Sequence, residues 1–303
     1  MILVPLARLS RAILYVLPIC MILTCSRPVP SFDATRAFAD LVHQTEFGPR
    51  VPGTAEHQAC AAWLQEQLGK LADSVWRQEF IAYVPLVRDS MPFINIIARF
   101  APERTRRVLL SAHWDTRPYA DNDPDTAKWT QSFDGANDGA SGVALLLEIA
   151  RAIAGQPPPL GVDIVFFDGE DAGRSGFDNE WCLGSRYYAT HLSAKYDWVI
   201  NADMIGDRDL AIYREGYSLR FARELQDRVW KTAAQLGDSV FRPELETDII
   251  DDHVPFLMHG IPAIDLIDIR YPYWHTSEDT ADKCSPESLA RVGRVILQVL
   301  YGG

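Results

Sequence analysis

The sequence predicts an α/β fold, a three-layer α/β/α sandwich around a central mixed, largely parallel sheet. Three observations point there. Strand-like apolar runs alternate with segments of helical periodicity. One of those runs, GVDIVFFD, is apolar enough for a buried strand. No Pro/Gly/Ser-rich linker and no internal repeat divides residues 33–303, so they read as a single domain.

The elements follow in order. FDATRAFADLVHQ and TAEHQACAAWLQEQLGKL carry apolar residues three and four apart, which predicts helices over 33–46 and 54–71 with Asp33 and Thr54 as N-caps. Strands are expected at 75–83, 94–100 and 107–112. SGVALLLEIARAIA reads as an apolar helix capped by Ser141, and the PPP at 157–159 stops it. GVDIVFFD is a strand, GSRYYATHL a short helix and WVINADM another strand. One long helix is expected over 218–236, and DDHVPFLMHG reads as a short helix closed by Gly260. IPAIDLI is a strand, and 286–301 form the last helix.

Hydrophobic content of 48% and charged content of 23% are ordinary for a globular chain of 303 residues. The net charge of -12 gives no electrostatic support to nucleic-acid binding. The first 32 residues stand apart as a leader and tether. Arg8 and Arg11 precede an apolar stretch from Ala12 to Leu23, too short for a membrane span and suited to a signal peptide. Thr24-Cys25 resembles a bacterial lipoprotein cleavage site, with Cys25 the lipidated residue. A plain secretory leader and an uncleaved anchor are the alternatives. All three imply export to the periplasm or cell envelope, with membrane contact only through the N-terminal lipid or anchor. Of the five cysteines, Cys60, Cys182 and Cys284 lie beyond the leader. Three thiols allow at most one disulfide, their spacing fits no thiolate metal motif, and a Cys60–Cys284 pair stays open.

The chemistry begins at FFDGED, residues 166–171, where a buried run ends in three acids. Carboxylates at a buried strand tip need a partner or lose their charge. The other strand ends carry similar groups: His113 and Asp115 after RVLLSA, Asp203 after WVINA, and Trp274 and His275 in the loop after IPAIDLI. Asp138 sits just before a helix. In an open α/β sheet, ligands bind at the carboxyl ends of the strands, so these groups predict one acidic, imidazole-bearing site. Arg117 and Arg174 are the only cations near in sequence. A divalent metal is the better partner. Carboxylate and imidazole donors without thiolates suit a catalytic Zn²⁺ with one open position. Taken singly, Asp138 also reads as a turn residue, His113 as a core histidine, His275 as a loop residue, and Glu170 and Asp171 as members of surface ion pairs. Their joint placement at strand ends favours the metal.

HWDT at 113–116, GANDGASGVALLLEIAR at 135–151, FFDGED, NADMIG at 201–206, DDHVPFL at 251–257 and WHTSED at 274–279 together resemble the zinc aminopeptidase superfamily. Within it they are most similar to the glutaminyl-peptide cyclotransferase branch, bacterial type, from about residue 35 onward. The resemblance implies one zinc ion on Asp138, Asp171 and His275, with Asp171 in place of the Glu that many members carry. It implies a proton-shuttling Glu170, further reacting-centre acids Asp203 and Asp251, and substrate contacts from Trp274 and His113. The second aromatic wall of the animal enzymes has no counterpart within AGRSGF, residues 172–177. The implied substrates are peptides or proteins with N-terminal Gln, cyclised with release of ammonia. Two alternatives remain. A two-zinc exported aminopeptidase would recruit His113 and Asp203 to a second ion. A non-enzymatic, metal-stabilised surface binding protein would turn nothing over. Asp251 in DDH and Trp274 beside His275 favour the cyclase.

Overall fold

A computed structural model of the chain describes residues 1–2 and 28–302. The leader motif and Cys25 lie outside the described residues.

The described fold opens with α1 (Ala34–Glu46) and α2 (Ala55–Gly69). The Asp33 carboxylate accepts from the Arg36 amide and the Thr54 hydroxyl from the His57 amide, so both predicted N-caps are in place. β1 (Ser74–Val84), β2 (Asp89–Phe100) and β3 (Arg107–His113) follow, then α3 (Ala140–Gly155), β4 (Gly161–Phe167), α4 (Leu183–Thr190) and β5 (Val199–Asp203). The rest comprises β6 (Ile212–Arg214), α5 (Gly216–Phe221), α6 (Arg223–Gln235), β7 (Phe241–Leu245), α7 (Val254–Met258), β8 (Ala263–Ile267) and α8 (Pro286–Tyr301).

Six strands form the central sheet in the order β1-β2-β4-β3-β5-β8. β1 and β2 run antiparallel to their neighbours, and β4, β3, β5 and β8 are mutually parallel. The sheet is therefore mixed, with helices on both faces. Side chains alternate between two cores, as the strand period of two requires. Val162, Ile164 and Phe166 of β4 join the larger core, with residues of α1, α2, α3, α6 and α8. Val165 and Phe167 face the smaller core with Tyr188 of α4 and Phe256 of α7. The parallel strands all end at one edge, and their tips bring the chemistry-bearing residues together.

Three local expectations are corrected. Ser141 is not the cap of α3. Gly139 takes that position at φ 97°, and the Ser141 hydroxyl instead donates to the Asn137 carbonyl and accepts from the Ile205 amide. The helix expected over 218–236 is two helices, broken at Ala222, whose φ of -136° and ψ of 35° leave the helical region. A small second sheet, β6 paired with β7, carried no clear sequence signal. α3 approaches the sheet closely through Gly142, where a Cβ would fall 2.1 Å from the Ala202 carbonyl oxygen of β5. Cys60, Cys182 and Cys284 are all free, buried thiols, so the Cys60–Cys284 pair does not form.

Candidate metal centre and active site

The opening acids are separated by the geometry of the β4 tip. Asp168 turns back into the protein, accepting from the His57 ring at 2.9 Å and the Ile94 amide at 2.6 Å. The His57 ring stacks on Trp114 with centroids 4.2 Å apart. Gly169 then adopts φ 73°, a left-handed conformation that glycine takes without strain, and reverses the chain. Glu170 and Asp171 follow in a short 3₁₀ turn and face the sheet edge. Their amides donate to the two oxygens of Asp115, each at 3.3 Å.

Asp138, Asp171 and His275 come from three distant parts of the chain. Each offers a buried ligand atom, and these atoms lie within 4.8 Å of one another. His275 Nε2 is 2.9 Å from Asp171 Oδ1 and 3.5 Å from Asp138 Oδ2. None of these atoms makes a hydrogen bond, and Asp171 Oδ2 is unpartnered as well. Buried polar atoms are rarely left in this state. Convergent oxygens and an imidazole nitrogen without hydrogen-bond partners fit a divalent cation. His275 sits at φ 54°, Met204 at 46° and Cys182 at 59°. These are three of the five non-glycine residues with positive φ among the described residues: His275 is one of the donors, Met204 lines the adjoining cavity and Cys182 contacts Glu170. Such strained backbone concentrates at functional sites.

A second group, His113, Asp138 and Asp203, also lies within 4.8 Å and shares Asp138. Its imidazole is already engaged: Nε2 is 3.0 Å from Asp203 Oδ1 and 3.1 Å from Asp138 Oδ1. His113 is buried and is not among the residues that line the cavity. It lies among Asp115, Asp138 and Asp203, behind the site. Burial alone would lower its pKa, but these carboxylates outweigh it and hold the imidazolium well above the usual range.

The cavity beside the three donors is lined by Asp138, Glu170, Asp171, Asp203, Asp251 and His275 on its polar side. Its apolar walls are Trp181, Trp274, Met204 and four isoleucines, Ile249, Ile250, Ile267 and Ile269. Burial pushes the Glu170 carboxyl well above its usual range, and the neighbouring Asp251 and Asp171 add to the shift. The Cys182 thiol donates to Glu170 Oε1 at 3.4 Å. Asp251 accepts from Asn201 Nδ2 at 3.0 Å, and Ser111 fixes that amide by donating to its oxygen at 2.8 Å.

Trp181 is the residue that sequence spacing did not supply. Its ring lies parallel to that of His275, centroids 6.0 Å apart and planes 8° apart, and the expected Trp274 lies 4.0 Å from the same imidazole. Its other neighbour is the Arg117 guanidinium, 4.9 Å from the ring centroid. Arg117 in turn donates to the Asp171 and Gly173 carbonyls at 3.2 and 2.7 Å, fixing the start of the 173–182 loop. A lone indole in the otherwise polar stretch DNEWC was the available signal.

A mixed sheet whose parallel tips gather carboxylate and imidazole donors beside an acid-lined cavity defines a zinc-dependent, aminopeptidase-like protein. Residues 95–300 match the family described as "Peptidase family M28". The chain belongs to that family, in its glutaminyl cyclase branch. It is 38% identical to a solved Bacteroides thetaiotaomicron glutaminyl cyclase bound to N-acetylhistamine, with a TM-score of 0.88 over 91% of this chain and 100% of that one. A solved Zn-dependent exopeptidase from Parabacteroides distasonis is also 38% identical, with a TM-score of 0.87 over 91% of this chain and 100% of that one. A Drosophila melanogaster glutaminyl-peptide cyclotransferase is 28% identical over 84% of this chain and 78% of its own length.

Proposed function

We propose that this protein is a single-zinc glutaminyl-peptide cyclotransferase, converting N-terminal glutaminyl residues of peptides and proteins to pyroglutamyl residues with release of ammonia. One observation carries the reading. The unpartnered ligand atoms of Asp138, Asp171 and His275 meet at the wall of a cavity that Glu170 borders and that Trp181 and Trp274 enclose. The proposal takes one ion rather than two, and a difference between the two donor groups supports it. The first is left without hydrogen bonds, whereas His113 of the second is bonded to Asp203.

Zinc held by Asp138, Asp171 and His275 would supply Lewis acidity toward the γ-carbonyl of the substrate glutamine. The protein does the rest. The two indoles and the isoleucine wall exclude water and hold the aliphatic part of the glutamine folded over, so that its own α-amine lies against the side-chain carbonyl carbon. A new C–N bond forms between the amine and the side-chain carbonyl carbon (Cδ), and the bond from that carbon to the amide nitrogen breaks. Glu170 takes the proton released by the amine and returns it to the departing nitrogen, which leaves as ammonia. A carboxyl whose pKa is raised by burial suits both halves of that transfer. The Cys182 thiol occupies Oε1, which leaves Oε2 to carry the proton. Asp251, oriented by Asn201, and Asp203 provide acceptors for the amine and leaving-group N–H groups on the same wall. In this proposal residues 33–303 act as one catalytic domain, exported through the leader and lipidated at Cys25. No helix among the described residues is long and apolar enough to cross a membrane.

The test is to incubate the purified protein with Gln-peptides, follow ammonia and peptide mass, and count zinc per chain. The expected result is a loss of about 17 Da with one zinc. A shortened peptide with two ions would establish an aminopeptidase instead, and an unchanged peptide would leave only a binding protein.

A further inference from the structure

Asp279 ends the WHTSED motif and does not line the cavity. It is fully buried. Its Oδ1 accepts from the Asn137 amide at 2.9 Å and from the Tyr271 hydroxyl at 2.8 Å, and its Oδ2 accepts from the Asp138 amide at 3.1 Å. The contact is reciprocal, because the Ala136 amide donates to the Asp279 carbonyl at 3.3 Å. The segment it grips needs an outside hold. Residues 137–139 lead into α3 through Gly139, which gives that helix no side-chain cap.

The other two donor-bearing loops are tied in the same manner. Asp115 accepts from the amides of Glu170 and Asp171, and Asp123 accepts from the Ser277 amide at 2.9 Å and its hydroxyl at 2.6 Å, two residues beyond His275. Asp279 makes the closest grip on a donor's own backbone.

We propose that Asp279 is a positioning residue for the metal centre, acting through the backbone of Asn137 and Asp138 to hold the Asp138 carboxylate at the separation from Asp171 and His275 that one ion spans. The inference rests on the zinc site proposed above. The chemistry of the grip makes it specific. A carboxylate is acceptor-only at both oxygens and takes two successive amide protons at once. Asparagine has the same shape but only one acceptor, so its NH₂ would confront one of the two amides and leave a buried N–H without a partner. The Tyr271 hydroxyl can rotate to accept from that NH₂; the backbone amide cannot change role. The strip must then shift to find another acceptor, and Asp138 moves with it.

The experiment measures zinc affinity by chelator competition for wild type, D279N and Y271F, together with thermal unfolding of the metal-free proteins and the visible spectrum of their Co²⁺ forms. D279N is expected to bind zinc about 10- to 100-fold more weakly and to shift the Co²⁺ bands while its metal-free form stays folded. Y271F, which keeps both amide contacts, is expected to stay within about threefold of wild type. Zinc affinity and Co²⁺ bands unchanged in D279N, with only the unfolding temperature lowered, would overturn the proposal and leave Asp279 a stability residue. Should D279N not fold, D279E carries the test. It keeps the charge and both acceptors but displaces them by one methylene, and an unaltered zinc affinity there would equally overturn the proposal. Failure of wild type to bind zinc would instead overturn the parent metal site, which separates the two results.

Discussion

Glu215 offers the sharpest stability prediction. Its carboxylate is fully buried and accepts five hydrogen bonds: from the Tyr217 amide at 2.7 Å, the Ser218 amide at 2.6 Å, the Ser218 hydroxyl at 2.7 Å, the Ile249 amide at 3.0 Å and the His253 ring at 3.1 Å. The first three cap α5; the last two tie down the strip 249–253, which carries Ile249, Ile250 and Asp251 of the cavity. Burial alone would raise this carboxyl, but His253 and Ser218 outweigh it and bring it from 4.5 down to about 2. A depressed folded-state pKa contributes stability that is complete above the unfolded value and lost as pH falls from 4.5 through about 2. The shift corresponds to about 3 kcal/mol at neutral pH, falling to about 2 kcal/mol near pH 3.5. E215Q mimics the protonated state, so it should lose about 3 kcal/mol at pH 7 and progressively less in acid. Urea unfolding of the metal-free proteins at several pH values measures the gap. A gap below about 1 kcal/mol at pH 7, or one that does not narrow in acid, would refute the reasoning.

Two further substitutions test the cavity. E170Q removes the proton carrier and keeps the shape, so turnover on Gln-peptides should fall by about 10²- to 10⁴-fold with zinc content unchanged. Loss of zinc in that variant would make Glu170 a ligand. W181A removes the indole between Arg117 and His275, and kcat/KM should fall by roughly tenfold or more, since one apolar wall of the glutamine site is gone. Steady-state kinetics with a short Gln-peptide decides it, and an unchanged kcat/KM would place Trp181 outside the substrate site.

What the sequence made legible follows from which interactions are local. Helix caps such as Asp33 and Thr54 act within three residues, and apolar periodicity reports directly on burial, so α1, α2 and the strands up to β5 are legible. The exception is that β2 begins at Asp89, five residues before the expected start at 94, in the largely exposed end of the strand. The break at Ala222 could not, because apolar spacing runs on from α5 into α6. The break itself shows only in the Ala222 backbone, at φ -136° and ψ 35°. The same distinction divides the site. The convergence of Asp138, Asp171 and His275 is legible because strand tips meet at one edge in any open α/β sheet, a property of topology that survives loop variation. Trp181 depends instead on the path of the loop 173–182. Arg117 holds its start, Arg174 clasps Glu180 across it, and Arg186 binds the Asp178 carbonyl at 2.9 Å. A second aromatic wall has no counterpart within residues 172–177, and the loop brings an indole to the cavity eleven residues beyond Glu170. Asp279 is the last letter of WHTSED, but its role lies in two amide protons on a loop more than 140 residues earlier. A charged side chain that acts on backbone far away along the chain, unlike a local cap such as Asp33, leaves no trace in the pattern of residue types, so only the folded chain separates it from an ordinary solvated acid.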